Sequence, residues 1–333
     1  MTRILFFIVL CIALPAKAQT PTFQFPVQCT PGETCWVMNY QDIGPNDKKD
    51  TDPTCGPRTY DGHKGTDIAL RSKQEMDKGV AVLAARDGKV LRVRNTEPDR
   101  FPTKEELKSA QDAKKECGNA VMIEHAPGLQ TVYCHLKQNS ITVKQNDMVK
   151  AGDPIARIGL SGYTEFPHLH FGILWEGAWV DPFTGLNATN TCGTVKNRLW
   201  DSSVPLAYEP ASIYAAGFSD KVPNLNALDR GEKILESISA ASPVLSFWIS
   251  MFGVQAGDVI TLEIKNPDGK IFATRTITQD KTRARQFYYT GRKLSEDVLK
   301  PGTYTAHATL VRKKDGVVVL KRAVDRRITV REN

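Results

Sequence analysis

From Tyr60 to about Asp181 the chain alternates short runs of strand-forming residues with turn residues at close spacing. That rhythm leaves little room for long helices and points to an all-β domain. The expected strands are Thr66 to Leu70, Gly79 to Ala85 and Gly88 to Arg94, with a turn at Arg86-Asp87-Gly88. Asn119 to His125 and Leu129 to His135 form a hairpin around Pro127-Gly128. Ile141 to Val143, Pro154 to Leu160, His168 to Trp175 and Ala178 to Val180 complete the set. One stretch breaks the rhythm. Thr103 to Lys115 is rich in charged helix formers, with Thr103 as an N-cap and Glu105-Glu106 in the first turn, which predicts a short inserted surface helix.

The same strand pattern returns after Val244. Leu245 to Met251, Val259 to Lys265, Ile271 to Ile277, Gln286 to Thr290, Gly302 to Arg312, Val317 to Leu320 and Arg327 to Val330 alternate with Gly-, Pro- and Asp-containing turns. About seven strands in this space suggest an immunoglobulin-like β-sandwich. It contains no cysteine and only one histidine, His307, so no catalytic grouping is expected there. The chain of 333 residues thus divides as a signal peptide at 1–18, a cysteine-rich arm at 19–59, the first β domain at 60–185, a connector at 186–240 and the sandwich at 241–333.

The signal is read from basic Arg3, the apolar run Ile4 to Leu14 and the small-x-small site Ala16-Lys17-Ala18. The run is too short for a stable span, and no later stretch suits one, so the protein is expected to be exported, periplasmic or extracellular, without a transmembrane segment. Cys29, Cys35, Cys55, Cys117, Cys134 and Cys192 lie beyond the signal, an even set that favours disulfides in an exported chain. Pro31-Gly32 can turn the chain so that Cys29 meets Cys35; the other pairings stay open. No C-x-x-C spacing supports a zinc cluster of cysteines. Removing the signal's Arg3 and Lys17 takes the net charge from +7 to +5, mildly basic, and no basic-aromatic motif suggests nucleic acid.

The chemistry concentrates in the first β domain. In Phe166-Pro167-His168-Leu169-His170-Phe171 the two histidines project to one face of an extended strand while Leu169 faces the core. Upstream, His63 and Asp67 form H-x-x-x-D, with Gly65 between them for a tight turn, and His135 follows in Tyr133-Cys134-His135-Leu136. Five of the six histidines therefore fall between residues 63 and 170. A catalytic zinc needs three N or O ligands and an open position for water. Two histidines and Asp67 would supply them and leave two histidines for proton transfer; alternation alone does not say which. His125 reads as structural.

In this order the motifs resemble the lysostaphin/LytM-type zinc endopeptidases that cut peptidoglycan peptides, over roughly residues 60–183. Gly118 to His125, Val149 to Ile155 and Val180-Asp181-Pro182 extend the resemblance. It implies one Zn2+ held by His63, Asp67 and His170, with His135 and His168 as the unligated catalytic pair. It implies a peptidoglycan peptide as substrate. The alternatives are a silent scaffold that activates other wall hydrolases, or a zinc peptidase acting on proteins. The arm, the 95–117 insertion and the sandwich are departures from simple members. The sandwich is expected to bind wall or a partner protein, or to be structural. The arm is expected to reach the cleft as a plug, with Asn39 or Asp42 nearest the metal.

Overall fold

In the computed structural model, residues 20–44, 50–193, 198–204, 206–294 and 298–332 are described. The signal read at 1–18 lies outside them. Elements run in the order β1 (Trp36–Asn39), β2 (Thr66–Ala69), α1 (Lys73–Lys78), β3 (Ala81–Leu83), β4 (Gly88–Arg94), α2 (Lys104–Asp112), β5 (Asn119–Ala126), β6 (Leu129–Leu136), β7 (Met148–Val149), β8 (Pro154–Arg157), β9 (His168–Trp175) and β10 (Ala178–Val180). Seven of these strands form one antiparallel path, β1-β2-β9-β6-β5-β4-β7, with β10 added on β9. A small β3-β8 ribbon packs beside it.

The sequence explains this sheet directly. Val121, Ile123, Leu129, Tyr133, Leu169, Phe171 and Ile173 alternate into one core and are buried. The hairpin β5–β6 turns where Pro127-Gly128 stands, with Gly128 at φ 78°. Helix α2 begins where expected. Thr103 accepts from the Glu106 amide, and Glu106 returns the bond to the Thr103 amide, a full capping box. The arm supplies what the sequence left as isolated runs. β1 pairs antiparallel with β2 and so becomes an edge of the main sheet.

The second unit contains β11 (Ser212–Ser219), α3 (Leu225–Arg230), β12 (Ser237–Ser239), β13 (Val244–Val254), β14 (Val259–Lys265), β15 (Ile271–Thr278), β16 (Arg283–Lys293), β17 (Gly302–Lys314) and β18 (Val317–Arg331). A three-stranded sheet, β11-β13-β16, faces a five-stranded one, β12-β18-β17-β14-β15. Phe218, Phe247, Ile249 and Met251 meet Ile260, Leu262, Leu310 and Ile328 between them. Two details differ from the sequence reading. β11 and β12 arise within the stretch read as connector. The runs expected as separate strands at Val317 and Arg327 are one strand, because the charged stretch between them lies on an exposed face paired to β17.

The two units share a third core. Trp36 and Met38 from β1 and Phe166 before β9 pack on Tyr214, Leu228, Trp248 and Phe252. Disulfides join Cys29–Cys35, Cys55–Cys192 and Cys117–Cys134. The first is the pairing expected from the Pro31-Gly32 turn. Among the described residues, no helix is long and apolar enough to cross a membrane.

Candidate metal and active site

Register brings the site together. Asp67 on β2 stands directly opposite His170 on β9, so their side chains share a face. His63 comes from the turn before β2. Asp67 Oδ1 lies 3.0 Å from His63 Nε2 and 2.9 Å from His170 Nδ1, and the two ring nitrogens are 3.1 Å apart. His63 and Asp67 are buried, and His170 is half-buried. Leu169, between the two histidines of β9, is fully buried and anchors the strand.

The proton inventory of this cluster is informative. His63 Nδ1 lies 2.6 Å from the Tyr40 carbonyl oxygen, which only accepts, so Nδ1 carries the hydrogen. In the neutral ring Nε2 is then a lone-pair acceptor. It faces a carboxylate oxygen, a second acceptor. The His170 ring can offer one proton at Nδ1, to one of them. Three donors of electron pairs thus converge on one point with at most one proton among them, the arrangement a cation satisfies. The site's second layer is also in place. Asn39 on β1 donates from Nδ2 to Asp67 Oδ2 at 3.0 Å. Burial opposes the charge on Asp67, but His63, His168 and His170 outweigh it and hold the carboxyl well below its usual range.

Gly65 serves the cluster differently from the expected turn. Its φ is not left-handed. What it provides is space: a Cβ there would stand 2.5 Å from the Phe171 carbonyl oxygen and 2.9 Å from His170 Nε2.

His135 and His168 form a separate pair, ring centroids 4.6 Å apart. His168 Nδ1 donates to the Phe166 carbonyl at 2.8 Å, and His135 Nδ1 to the Ser161 carbonyl at 2.8 Å. Each neutral ring therefore keeps Nε2 as an acceptor. His168 Nε2 is 3.5 Å from Asp67 Oδ1. Burial lowers the His135 pKa well below the ordinary value, reinforced by the other two imidazoles. Burial also acts against charge on His168, but Asp67 outweighs it and the pKa rises. The placement of His135 needs a special backbone. The residue opposite His170 on β6 is Cys134, so strict alternation would turn His135 away. A left-handed conformation at His135, φ 58°, breaks the alternation. The neighbouring Cys117–Cys134 bridge and the bond from the His135 amide to the Cys117 carbonyl, 2.9 Å, hold it.

A cleft of about 450 Å³ opens over this pair. Its walls include Tyr60 and Tyr163, each about half exposed, together with Leu107 of α2 and Arg285 of β16. Tyr60 stacks on His63, centroids 4.3 Å apart. A second depression of about 870 Å³ continues past His63 along Lys64 and Trp179. The inserted helix and the sandwich therefore both border the reactive groups, which no local pattern signals. Tyr60 was visible in the sequence only as a neighbour of a motif, whereas Asn39, one of the two arm residues expected nearest the metal, does reach Asp67. Asp42, the other arm residue considered near the metal, instead accepts from the amides of Gly44, Thr51 and Gly62. His125 is structural, held by the Asp87 carbonyl and the Thr131 hydroxyl.

Residues 61–182 match the family model described as Peptidase family M23. This part of the chain is an M23 peptidase domain. Over 119 residues it is 34% identical to the peptidoglycan DD-endopeptidase ShyB of Vibrio cholerae, covering 36% of this chain and 22% of that protein. Over 65 residues it is 40% identical to the DD-carboxypeptidase/endopeptidase Mpg of Neisseria meningitidis, covering 20% and 14%. The matches thus span about a fifth or less of those relatives. A solved structure described as a zinc containing peptidase from Vibrio cholerae aligns at 28% identity and TM-score 0.28, covering 46% of this chain and 40% of that one. The M23 domain carries the whole His/Asp constellation; the sandwich lies outside the matched residues.

Proposed function

We propose that this protein is an exported zinc-dependent endopeptidase that hydrolyses peptide cross-links of bacterial peptidoglycan. The observation that carries the reading is the meeting of His63 Nε2, Asp67 Oδ1 and His170 Nδ1 within 3.1 Å of one another with too few protons to satisfy them. Two neutral imidazoles and one carboxylate are a donor set that suits zinc, and the neighbouring histidines stay outside it. Zinc, when bound there, lowers the pKa of a water and polarises the scissile carbonyl. His135 and His168 supply the remaining chemistry. Each fixes its tautomer through a backbone carbonyl and presents Nε2, which in the neutral ring can orient the attacking water and take its proton, and once protonated can donate to the oxyanion. No H-E-x-x-H motif offers a glutamate for that role. Asn39 holds Asp67 in orientation through its outer oxygen. The family match and the relatives named as wall endopeptidases support peptidoglycan as the substrate.

The test is to digest purified sacculi with the mature protein and identify products by mass spectrometry, alongside zinc content by elemental analysis. Release of stem-peptide fragments that stops on chelation and returns with zinc is expected. A metal-free protein, or intact sacculi with loaded enzyme, would overturn the reading.

A further inference from the structure

Strands β17 and β18 form a hairpin that outruns its sheet. β14 pairs with β17 only as far as Val311, and β12 meets β18 only at Thr329–Arg331. From Arg312 to Leu320 the two strands pair with each other alone among the described residues. At the projecting tip stand Val317, Val318 and Val319, exposed by 66, 52 and 55%. Single exposed apolar residues are ordinary; three in succession on a protrusion are not. A register shift after Arg312 accompanies them, and none of the three turns back into the core.

Charge surrounds this apolar tip. Lys313, Lys314 and Lys321 are exposed, and no carboxylate among the described residues forms a salt bridge with them. Asp315 is the single opposing charge at the turn. The sandwich as a whole, residues 241–333, holds seventeen Lys and Arg against nine Asp and Glu. Its excess exceeds the net +7 of the full chain, so the basic character of this protein resides in the sandwich.

We propose that the β17–β18 tip docks the protein on an anionic lipid surface, with the valines entering the head-group/acyl boundary and the lysines against the lipid phosphates. A hydrated anionic polymer would attract the lysines but offers no apolar medium for three valines. A second copy of the chain would bring two strongly basic sandwiches together, and lysines beside an exposed edge oppose strand pairing. The cleft is bordered by β16, which belongs to the other sheet, so docking through the hairpin leaves the cleft free.

The experiment is co-sedimentation of the full mature chain with vesicles of phosphatidylglycerol and phosphatidylethanolamine, against vesicles of phosphatidylcholine alone. Affinity at least tenfold greater for the anionic vesicles, weakened by salt, is expected. V317S/V318S/V319S and, independently, K313E/K314E should each lower it by at least tenfold, with an unchanged melting temperature because these side chains touch no core. V318S alone should give an intermediate loss. No binding, equal binding to both vesicles, or binding unaffected by either variant overturns the proposal. So does retention on sacculi that K313E/K314E weakens while the valine variant leaves it intact, which would mean that the tip binds a polymer. A dimer in ultracentrifugation that the valine variant abolishes would identify a second copy instead, and equally overturns it.

Discussion

The Nδ1–H of His168 is bonded to the carbonyl oxygen of Phe166, 2.8 Å away and two residues back in the chain. That short local bond decides which nitrogen of the ring looks into the cleft. It also separates His168 from His170, whose Nδ1 faces Asp67 at 2.9 Å. Two histidines with the same strand orientation thus differ in the atom they present.

His170→Ala is expected to lose both zinc and hydrolysis, since it removes one of three converging donors. His168→Ala should retain zinc at one per chain and lose activity by about a thousandfold, the scale of a lost acid/base group. Zinc stoichiometry and turnover on sacculi, measured on the same preparations, separate the two. A metal-free His168→Ala protein would reverse the assignment.

Asn39→Ala removes the donor to Asp67 Oδ2 and leaves that buried oxygen without its bond. Loss of such an outer partner costs about ten- to a hundredfold in metal affinity. Competition with a chelator of known affinity reads it. Unchanged zinc affinity would reduce Asn39 to a packing residue of β1.

The Cys117–Cys134 bridge closes a loop of sequence separation 17 beside His135. On the chain-entropy account a loop of that size is worth about 3 kcal/mol. C117A/C134A should therefore lower stability by that order in denaturant unfolding. It should also reduce turnover at temperatures where the variant stays folded, because the left-handed backbone at His135 loses its neighbour constraint. Equal turnover per folded molecule would show that the bridge acts on stability alone.

Much of this was legible in the sequence, and the reasons are local. The β5–β6 hairpin, the capped helix α2 and the strand carrying His168-Leu169-His170 follow from turn residues, capping residues and period-two burial. The grouping of five side chains also followed, because the resemblance rests on those same motifs. What escaped depends on partners far along the chain. The choice between Asn39 and Asp42 as the arm residue nearest the metal stayed open, because the β1–β2 pairing that carries Asn39 to Asp67 has no signal near residue 39. Leu107 and Arg285 border the cleft through packing between units. The backbone that aims His135, though not the residue itself, escaped for a different reason: alternation predicts the wrong face, and a left-handed φ at a non-glycine residue has no sequence signal here.

Asp181 gives a pH-dependent stability. It is fully buried, and burial raises its pKa to about 7 despite bonds from Thr184 and the Phe183 amide. Its Oδ2 has no hydrogen-bond partner among the described residues. The folded protein therefore keeps a proton that the unfolded chain releases near its ordinary carboxylate value. The stabilisation is full below about pH 4 and is lost as pH rises through about 7. Asp181→Asn should flatten unfolding free energy across that window. A slope identical to wild type would show that Asp181 is ionised in the fold.

Arg285 joins the two units beside the cleft. Its guanidinium lies 4.0 Å over the Phe166 ring, and Nη2 donates to Asp229 Oδ1 at 2.5 Å, with the side chains only 19 and 11% exposed. Arg285→Met alone leaves Asp229 enclosed without its cation and should cost about 3 kcal/mol. Adding Asp229→Leu removes the stranded charge and should restore most of that loss, as replacement of a buried pair by apolar groups commonly does. The four-member cycle, read by denaturant unfolding, isolates the coupling. Through Phe166, whose carbonyl fixes His168, the same single change should lower turnover while zinc content holds. If Arg285→Met unfolds like wild type and digests sacculi at the same rate, the contact between sandwich and cleft carries neither stability nor catalysis.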